Sequence, residues 1–307
     1  MMKKLFAKLL TKAASQNNRL FLITGDLGFG VLMDYAEQYP DQFLNVGVAE
    51  QNMTGVAAGL AFDDRVVFTY SIANFPTLRC LEQIRNDVCY HELNVKIVAV
   101  GGGFSYGAAG LSHHATEDLA IMRSLPITVV APGDLWEVEQ ATQAIINRPG
   151  PCYLRLDNTS APTQDLSNSS FQIGKARRIL EGRDITLMAI GGGALHVAYE
   201  AAQQLRELQI DCRLVSMHTL NPLDKEEVLD AARQTQGVIT VEEHTIKGGL
   251  GGAVAEICLE SGVLPRAFYR IGLRRDYGCI IGSQAYLRDQ YKISAEEIVK
   301  QAKALLT

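Results

Sequence analysis

The sequence predicts an α/β protein of two domains, each a mostly parallel sheet flanked by helices, and three observations predict it. The chain has 307 residues, enough for two domains of about 150 residues each. Its composition, 47% hydrophobic and 21% charged, is that of an ordinary globular protein and excludes the disordered, collagen-like and coiled-coil classes. Short apolar runs of strand length alternate with longer helical patterns, and that alternation specifies βαβ units, because parallel strands need a helical crossover between them.

The elements follow in order. MMKKLFAKLLTKAAS carries lysines like a secretory leader, but Lys8 and Lys12 interrupt the apolar stretch, so it reads as an amphipathic helix. Strand-like RLFLIT precedes a helix near 31–39, FLNV a helix over 50–61, RVVFTY a helix over 76–92, and VKIVAVG a helix over 115–124. ITVVAP then leads into a helix over 134–147, and PCYLRL closes the first series. APTQDLSNSS, rich in Ser, Asn, Pro and Thr, marks a linker. After it come DITLMAIGG and a helix over 194–208, DCRLVSMH and a helix over 224–233, GVITVEEH and a helix over 250–260, and a last helix over 294–306. The division is therefore a first domain over 1–160, a linker over 161–172 and a second domain over 173–307.

Several function classes drop out. Lys and Arg number 29 against 34 Asp and Glu, a formal net charge of −5, so no basic surface for nucleic acid or an anionic membrane is expected. No apolar run approaches the ~20 residues of a membrane span. The six cysteines are scattered without a Cys-x-x-Cys pair or a Cys/His cluster, which points to buried thiols in a reducing, cytoplasmic setting. There is no G-x-x-x-x-G-K-[ST] phosphate loop. Three glycine clusters follow strands, at 101–103, 191–193 and 248–252. None matches a full dinucleotide fingerprint, and glycine at a βα turn is expected to serve backbone geometry.

The most informative segment is FLNVGVAEQNMTGVAAGLAF, residues 43–62. A strand runs into a helix that carries one carboxylate, Glu50, among Val46, Gly47, Val48, Ala49, Gly55, Ala57, Ala58 and Gly59. Small residues let another helix approach closely, and an apolar setting of this kind favours the protonated carboxyl. The alternative is an exposed carboxylate favoured by the helix dipole.

NVGVAEQNMTGVAAGLA closely resembles the cofactor-activating segment of the transketolase family of thiamine diphosphate enzymes, in their pyrimidine-binding domain. TYSIANFPTLRCLEQIR at 69–85, AAGLSHHATEDLAIMRSLP at 108–126, VVAPGD at 129–134 and YLRLD at 153–157 match in the same order. VSMHTLNPLD at 215–224 and VEEHTIKGGLGGAVAE at 241–256 resemble the family's C-terminal domain. The resemblance implies that Glu50 hydrogen-bonds the pyrimidine nitrogen N1′ of the cofactor, stabilising the imino tautomer that removes the thiazolium C2 proton. It implies that Phe75 stacks on the pyrimidine, with Ile72 and Leu78 supplying apolar walls where typical members carry aromatics. It implies that His113, in Gly110-Leu111-Ser112-His113, is the substrate-pocket histidine that donates to a developing oxyanion or moves a proton, while His114 is structural. Arg155 in YLRLD is matched to a phosphate-binding arginine, and Lys3 stands near a second basic position.

The departures carry information too. Ala109 stands where typical members have an Asp that reads the substrate's C2 hydroxyl, Gly30 replaces a serine, and Gly101 replaces a histidine. These point away from the ordinary sugar-phosphate pocket, toward a modified sugar, a nucleotide-linked keto sugar or a simpler aldehyde. The family holds its diphosphate through Mg²⁺ on a Gly-Asp-Gly stretch. Here Gly25-Asp26 continues with Leu27 and Gly133-Asp134 with Leu135, so the metal ligands are expected on another polypeptide. The resemblance thus implies the C-terminal subunit of a split transketolase, working with an N-terminal subunit in an α2β2 assembly and transferring a two-carbon ketol unit from a keto sugar to an aldehyde. His218 and His244 are expected to be structural, and the second domain to serve dimer contact and stabilisation. The rival readings are a 1-deoxyxylulose-5-phosphate synthase-like subunit, a 2-oxo acid dehydrogenase β-like subunit, and a catalytically silent regulatory partner.

Overall fold

In the computed structural model, residues 1–163, 170–274 and 280–307 are described. The linker expected over 161–172 and Cys279 therefore lie partly or wholly outside the described residues. The first sheet contains β1 (Leu20–Thr24), β2 (Phe43–Asn45), β3 (Val66–Ile72), β4 (Val95–Val100), β5 (Thr128–Val130) and β6 (Cys152–Leu156). The second contains β7 (Arg177–Leu180), β8 (Ile185–Ile190), β9 (Cys212–Ser216), β11 (Gly237–Thr245) and β12 (Phe268–Leu273), and β10 is Thr219–Asn221. The strand orders are β10-β5-β6-β4-β3-β1-β2 and β12-β11-β8-β9-β7. Within them only β10 on β5 and β7 on β9 run antiparallel.

The expected parallel core of each sheet is present, because β4, β6, β8 and β9 are mainly apolar runs buried along their whole length. The sequence reading misses β7, β10, β12 and the helix Gln284–Gln290. β10 has three residues and pairs antiparallel at an edge, so it carries no periodicity to read. It also crosses between domains, adding a second-domain strand to the first-domain sheet. One apolar cluster accordingly joins Ile97, Val129 and Tyr153 to Met188, Val215 and Met217.

The N-terminal helix Met2–Ala14 buries Met2, Phe6, Ala7, Leu10 and Ala14, the i, i+4, i+8 stripe of an amphipathic helix. Two expected helices are shorter than predicted. The 76–92 segment breaks into Phe75–Leu78, Leu81–Gln83 and a π-helical Ile84–Cys89, because Cys80 leaves helical geometry at φ −106° and ψ 9°. The 115–124 segment is helical only over Asp118–Arg123, since Ala115 instead bridges back to Gly103. Cys80, Cys89, Cys152, Cys212 and Cys258 are buried and free, and burial raises each of their thiols above the usual pKa. Among the described residues no helix is long and apolar enough to cross a membrane.

Candidate functional site

The site forms where the C-terminal ends of β1, β2, β3 and β4 meet the helix Glu50–Phe62. Parallel strands deliver their following turns to one edge of the sheet, which is where α/β proteins place ligands. Asn45 fixes the first of these turns: its Oδ1 accepts from the amides of Asp26 at 2.9 Å and Gly47 at 3.0 Å. Gly47 takes the left-handed conformation that the turn requires, φ +74°. A Cβ on Gly25 would stand 3.3 Å from the Gly47 carbonyl and 3.7 Å from Glu50 Cγ, so a glycine there lets β1 close against the carboxylate.

Glu50 opens its helix and is 4% exposed. Its surroundings differ from the wholly apolar setting that the sequence predicts. Arg79 Nη1 donates to Glu50 Oε2 at 3.1 Å, and the same guanidinium lies over Phe75, its carbon 4.3 Å from the ring centroid. Sequence reasoning misses Arg79, although it follows Phe75 by four residues on a helical turn, the spacing that puts two side chains on one face. The half-buried Phe75 ring meets His113 edge-on, with centroids 5.2 Å apart. Arg79 therefore links Glu50 to Phe75, and Phe75 in turn meets His113.

His113 sits at the end of a short 3₁₀ turn, Leu111–His113. Its Nδ1 is 3.0 Å from Ser112 Oγ, and Asn74 Nδ2 ties the Ser112 carbonyl to the Phe75 segment at 3.0 Å. On its other side lies Tyr106, centroid distance 6.3 Å, whose hydroxyl accepts from Lys3 Nζ at 3.1 Å. Any side chain on Gly101 would overlap the Tyr106 ring, so Tyr106 fills the volume above the end of β4. Tyr106 is a second residue missed by sequence reasoning. Ile72 is half-buried at the end of β3, and Leu78, 46% exposed, ends the turn that Phe75 begins. His114 is buried, with Nε2 3.1 Å from the Gly107 carbonyl.

The site is shaped for a planar group with an N–H donor. Arg79 already makes the two contacts such a group would make, stacking on Phe75 and donating to Glu50. An aminopyrimidine protonated at one ring nitrogen has the same flat face and in-plane donor, so these residues fit the pyrimidine of thiamine diphosphate.

Arg155 requires correction. Its guanidinium is wholly buried, with Nη1 3.3 Å from Asp118 Oδ1, Nε 3.3 Å from Asp157 Oδ1, and Nη2 donating to the Glu243 carbonyl at 3.1 Å. Two buried carboxylates and a main-chain oxygen occupy the donors that a substrate phosphate would need. The YLRLD match places the residue on a central strand pointing into the domain boundary, and not toward His113.

His244 and His218 of the second domain are buried in contacts of the fold itself. His244 Nε2 accepts from the Ala120 amide at 3.3 Å while Nδ1 lies 2.7 Å from the Thr245 carbonyl. His218 stacks on Phe171, centroids 4.4 Å apart, and burial lowers its pKa.

Comparison with known proteins agrees in one direction. The family model of the transketolase pyrimidine-binding domain matches residues 1–164, and that of the transketolase C-terminal domain matches residues 174–298. The chain is 36% identical over 303 residues to one of the subunits of the apulose-4-phosphate transketolase of Phocaeicola vulgatus, covering 98% of this chain and 96% of that one. It is 36% identical over 299 residues to the 6-deoxy-6-sulfo-D-fructose transketolase subunit SqwH of a Clostridium species, covering 97% and 92%. A solved structure described as a split gene transketolase, inactive β4 tetramer, superposes with a TM-score of 0.87 at 33% identity, covering 99% of this chain and 97% of the other.

Proposed function

Because the chain belongs to the transketolase family and matches separately encoded subunits along nearly its whole length, we propose that it is the C-terminal subunit of a split transketolase, transferring a two-carbon ketol unit from a keto sugar to an aldehyde. The observation that carries this reading is the carboxylate of Glu50 beside the face of Phe75, both engaged by one planar cation. Thiamine diphosphate, held with Mg²⁺ on an N-terminal partner subunit, supplies the carbon nucleophile and electron sink for this chemistry. Glu50 holds the ring nitrogen N1′ through a hydrogen bond, Phe75 orients the ring by stacking, and Ile72 and Leu78 exclude water from its edges. His113, with Nδ1 fixed by Ser112, presents Nε2 to the substrate oxygen and moves a proton there.

Lys3 and Tyr106 take the recognition role that Arg155 leaves open. Lys3 is partly exposed, touches Tyr106, and through it faces His113. A keto sugar with an anionic group at its far end suits this pair. The names of two relatives, with a 4-phosphate and a 6-sulfo substituent, support an anionic sugar. The same reading divides the chain at the linker 161–172 and places it in the cytoplasm, in an α2β2 assembly.

The test is reconstitution. The purified chain is expected to be inactive alone, as the name of the inactive β4 tetramer suggests for that relative, and to gain thiamine diphosphate-dependent ketol transfer on mixing with an N-terminal subunit. Full activity of the isolated chain would refute the split-subunit reading. A mixture that binds cofactor yet transfers nothing from any keto sugar would favour a silent regulatory role.

A further inference from the structure

The three glycine clusters each close on a buried carboxylate of the protein itself. Leu250 and Gly251 donate their amides to Glu242 at 2.8 and 2.9 Å. Gly193 donates to Asp157 at 3.1 Å. Gly103 and Gly193, from different domains, leave no room for a side chain because the carboxyl of Glu243 lies against both. The two second-domain turns are anion cradles whose anion is internal.

Glu243 is the carboxylate that spans the domains. It lies near the end of β11, 2% exposed. Its Oε1 accepts from the Phe104 amide at 2.5 Å and from Gln284 Nε2 at 2.9 Å, and its Oε2 faces Arg288 Nε at 3.8 Å. Phe104 begins the loop that carries His113. The base of that loop is closed by Gly103 and Ala115, which exchange amide hydrogen bonds of 2.8 and 3.0 Å. The Phe104 ring is held between Tyr291, stacked at 5.2 Å, and His114, edge-on at 5.2 Å. Just beyond the loop, the Thr245 amide donates to the Thr116 carbonyl at 2.8 Å. Two residues of β11, Glu243 and Thr245, thus fasten the two ends of one first-domain loop.

We infer that Glu243 of the second domain is a positioning residue for His113 of the first, acting through the backbone amide of Phe104. The Phe104 amide is buried and needs an acceptor. Without one, the loop that carries His113 loses one of its two anchors to β11, and displacements of about 1 Å are enough to slow a positioned proton donor substantially. The role assigned to His113 rests on the proposed function, whereas the anchoring of the loop does not.

The experiment compares two substitutions of similar shape. Glu243→Met keeps the volume and removes the acceptor, and Glu243→Gln keeps an oxygen for Phe104. Amide hydrogen exchange on the full chain is expected to show residues 103–115 exchanging about tenfold faster in Glu243→Met and within about twofold of wild type in Glu243→Gln, with β4 and β11 unchanged in both. In the complex with the N-terminal subunit, Glu243→Met is expected to lower kcat about tenfold, Glu243→Gln to restore it, and Glu243→Met to add nothing in a His113→Asn background. Unchanged exchange of 103–115 in Glu243→Met, or additive losses with His113→Asn, would overturn the inference. An inactive wild-type complex would instead sink the proposed function and leave the exchange result standing. If Glu243→Met does not fold, Gly193→Ala pushes the carboxyl from the second-domain side, and the same loosening of 103–115 is expected of it.

Discussion

Arg79 covers the face of Phe75 with its guanidinium 4.3 Å from the ring centroid, and donates from that position to Glu50 at 3.1 Å. On the proposed reading a pyrimidine takes the same face and the same carboxylate, and its binding displaces Arg79. The side chain is about half exposed, so the pair it leaves is worth no more than about 1 kcal/mol.

Removing that competitor should therefore tighten cofactor binding modestly. Arg79→Ala in the assembled complex is expected to lower the apparent Kd for thiamine diphosphate by about two- to fivefold, read by calorimetric titration. Weaker binding would mean that Arg79 turns to hold the cofactor instead of yielding to it.

Glu50→Gln keeps the shape of the side chain and loses the carboxylate. If Glu50 directs a proton on the cofactor, turnover in the complex is expected to fall by about 10² or more, with the folded chain intact by circular dichroism. Near-normal turnover would remove Glu50 from the mechanism.

Arg155→Met leaves Asp118 and Asp157 buried without their cation. Uncompensated buried charge costs about 3–5 kcal/mol, so the expected result is a lowered Tm or loss of soluble protein. Wild-type stability combined with selective failure on phosphorylated substrates would restore the phosphate role that the structure denies it.

Stability should also depend on the charge of Glu243. Burial first, and the charge of Asp157 second, raise its pKa from 4.5 to about 7, against Arg288, Gln284 and the Phe104 amide. Between those values the folded state keeps a proton that the unfolded chain has released. The stabilisation is complete below about pH 4.5 and is lost as pH rises through about 7. Over that range the wild type is expected to lose roughly 3 kcal/mol relative to Glu243→Gln, which cannot titrate. Urea unfolding at a series of pH values measures it, and parallel profiles for the two proteins would contradict it.

The sequence by itself determined the parallel cores of both sheets, since runs such as VKIVAV and ITLMAI, apolar but for one residue each, have few places to go but between helices. It also marked Glu50, Phe75 and His113 as candidate site residues through contiguous motifs, because each lies on or beside a turn that its own neighbours build. Only the tertiary structure decided the rest. Arg155 and Lys3 are both cations, and nothing local distinguishes the one that faces Asp118 and Asp157 inside the protein from the one that reaches Tyr106 near the surface. The glycine clusters could not reveal their carboxylates, since Glu243 meets Gly103 across 140 residues of chain. Burial and charge pairing are properties of the assembled domains, and a linear pattern records them only where both partners lie within a few turns of each other.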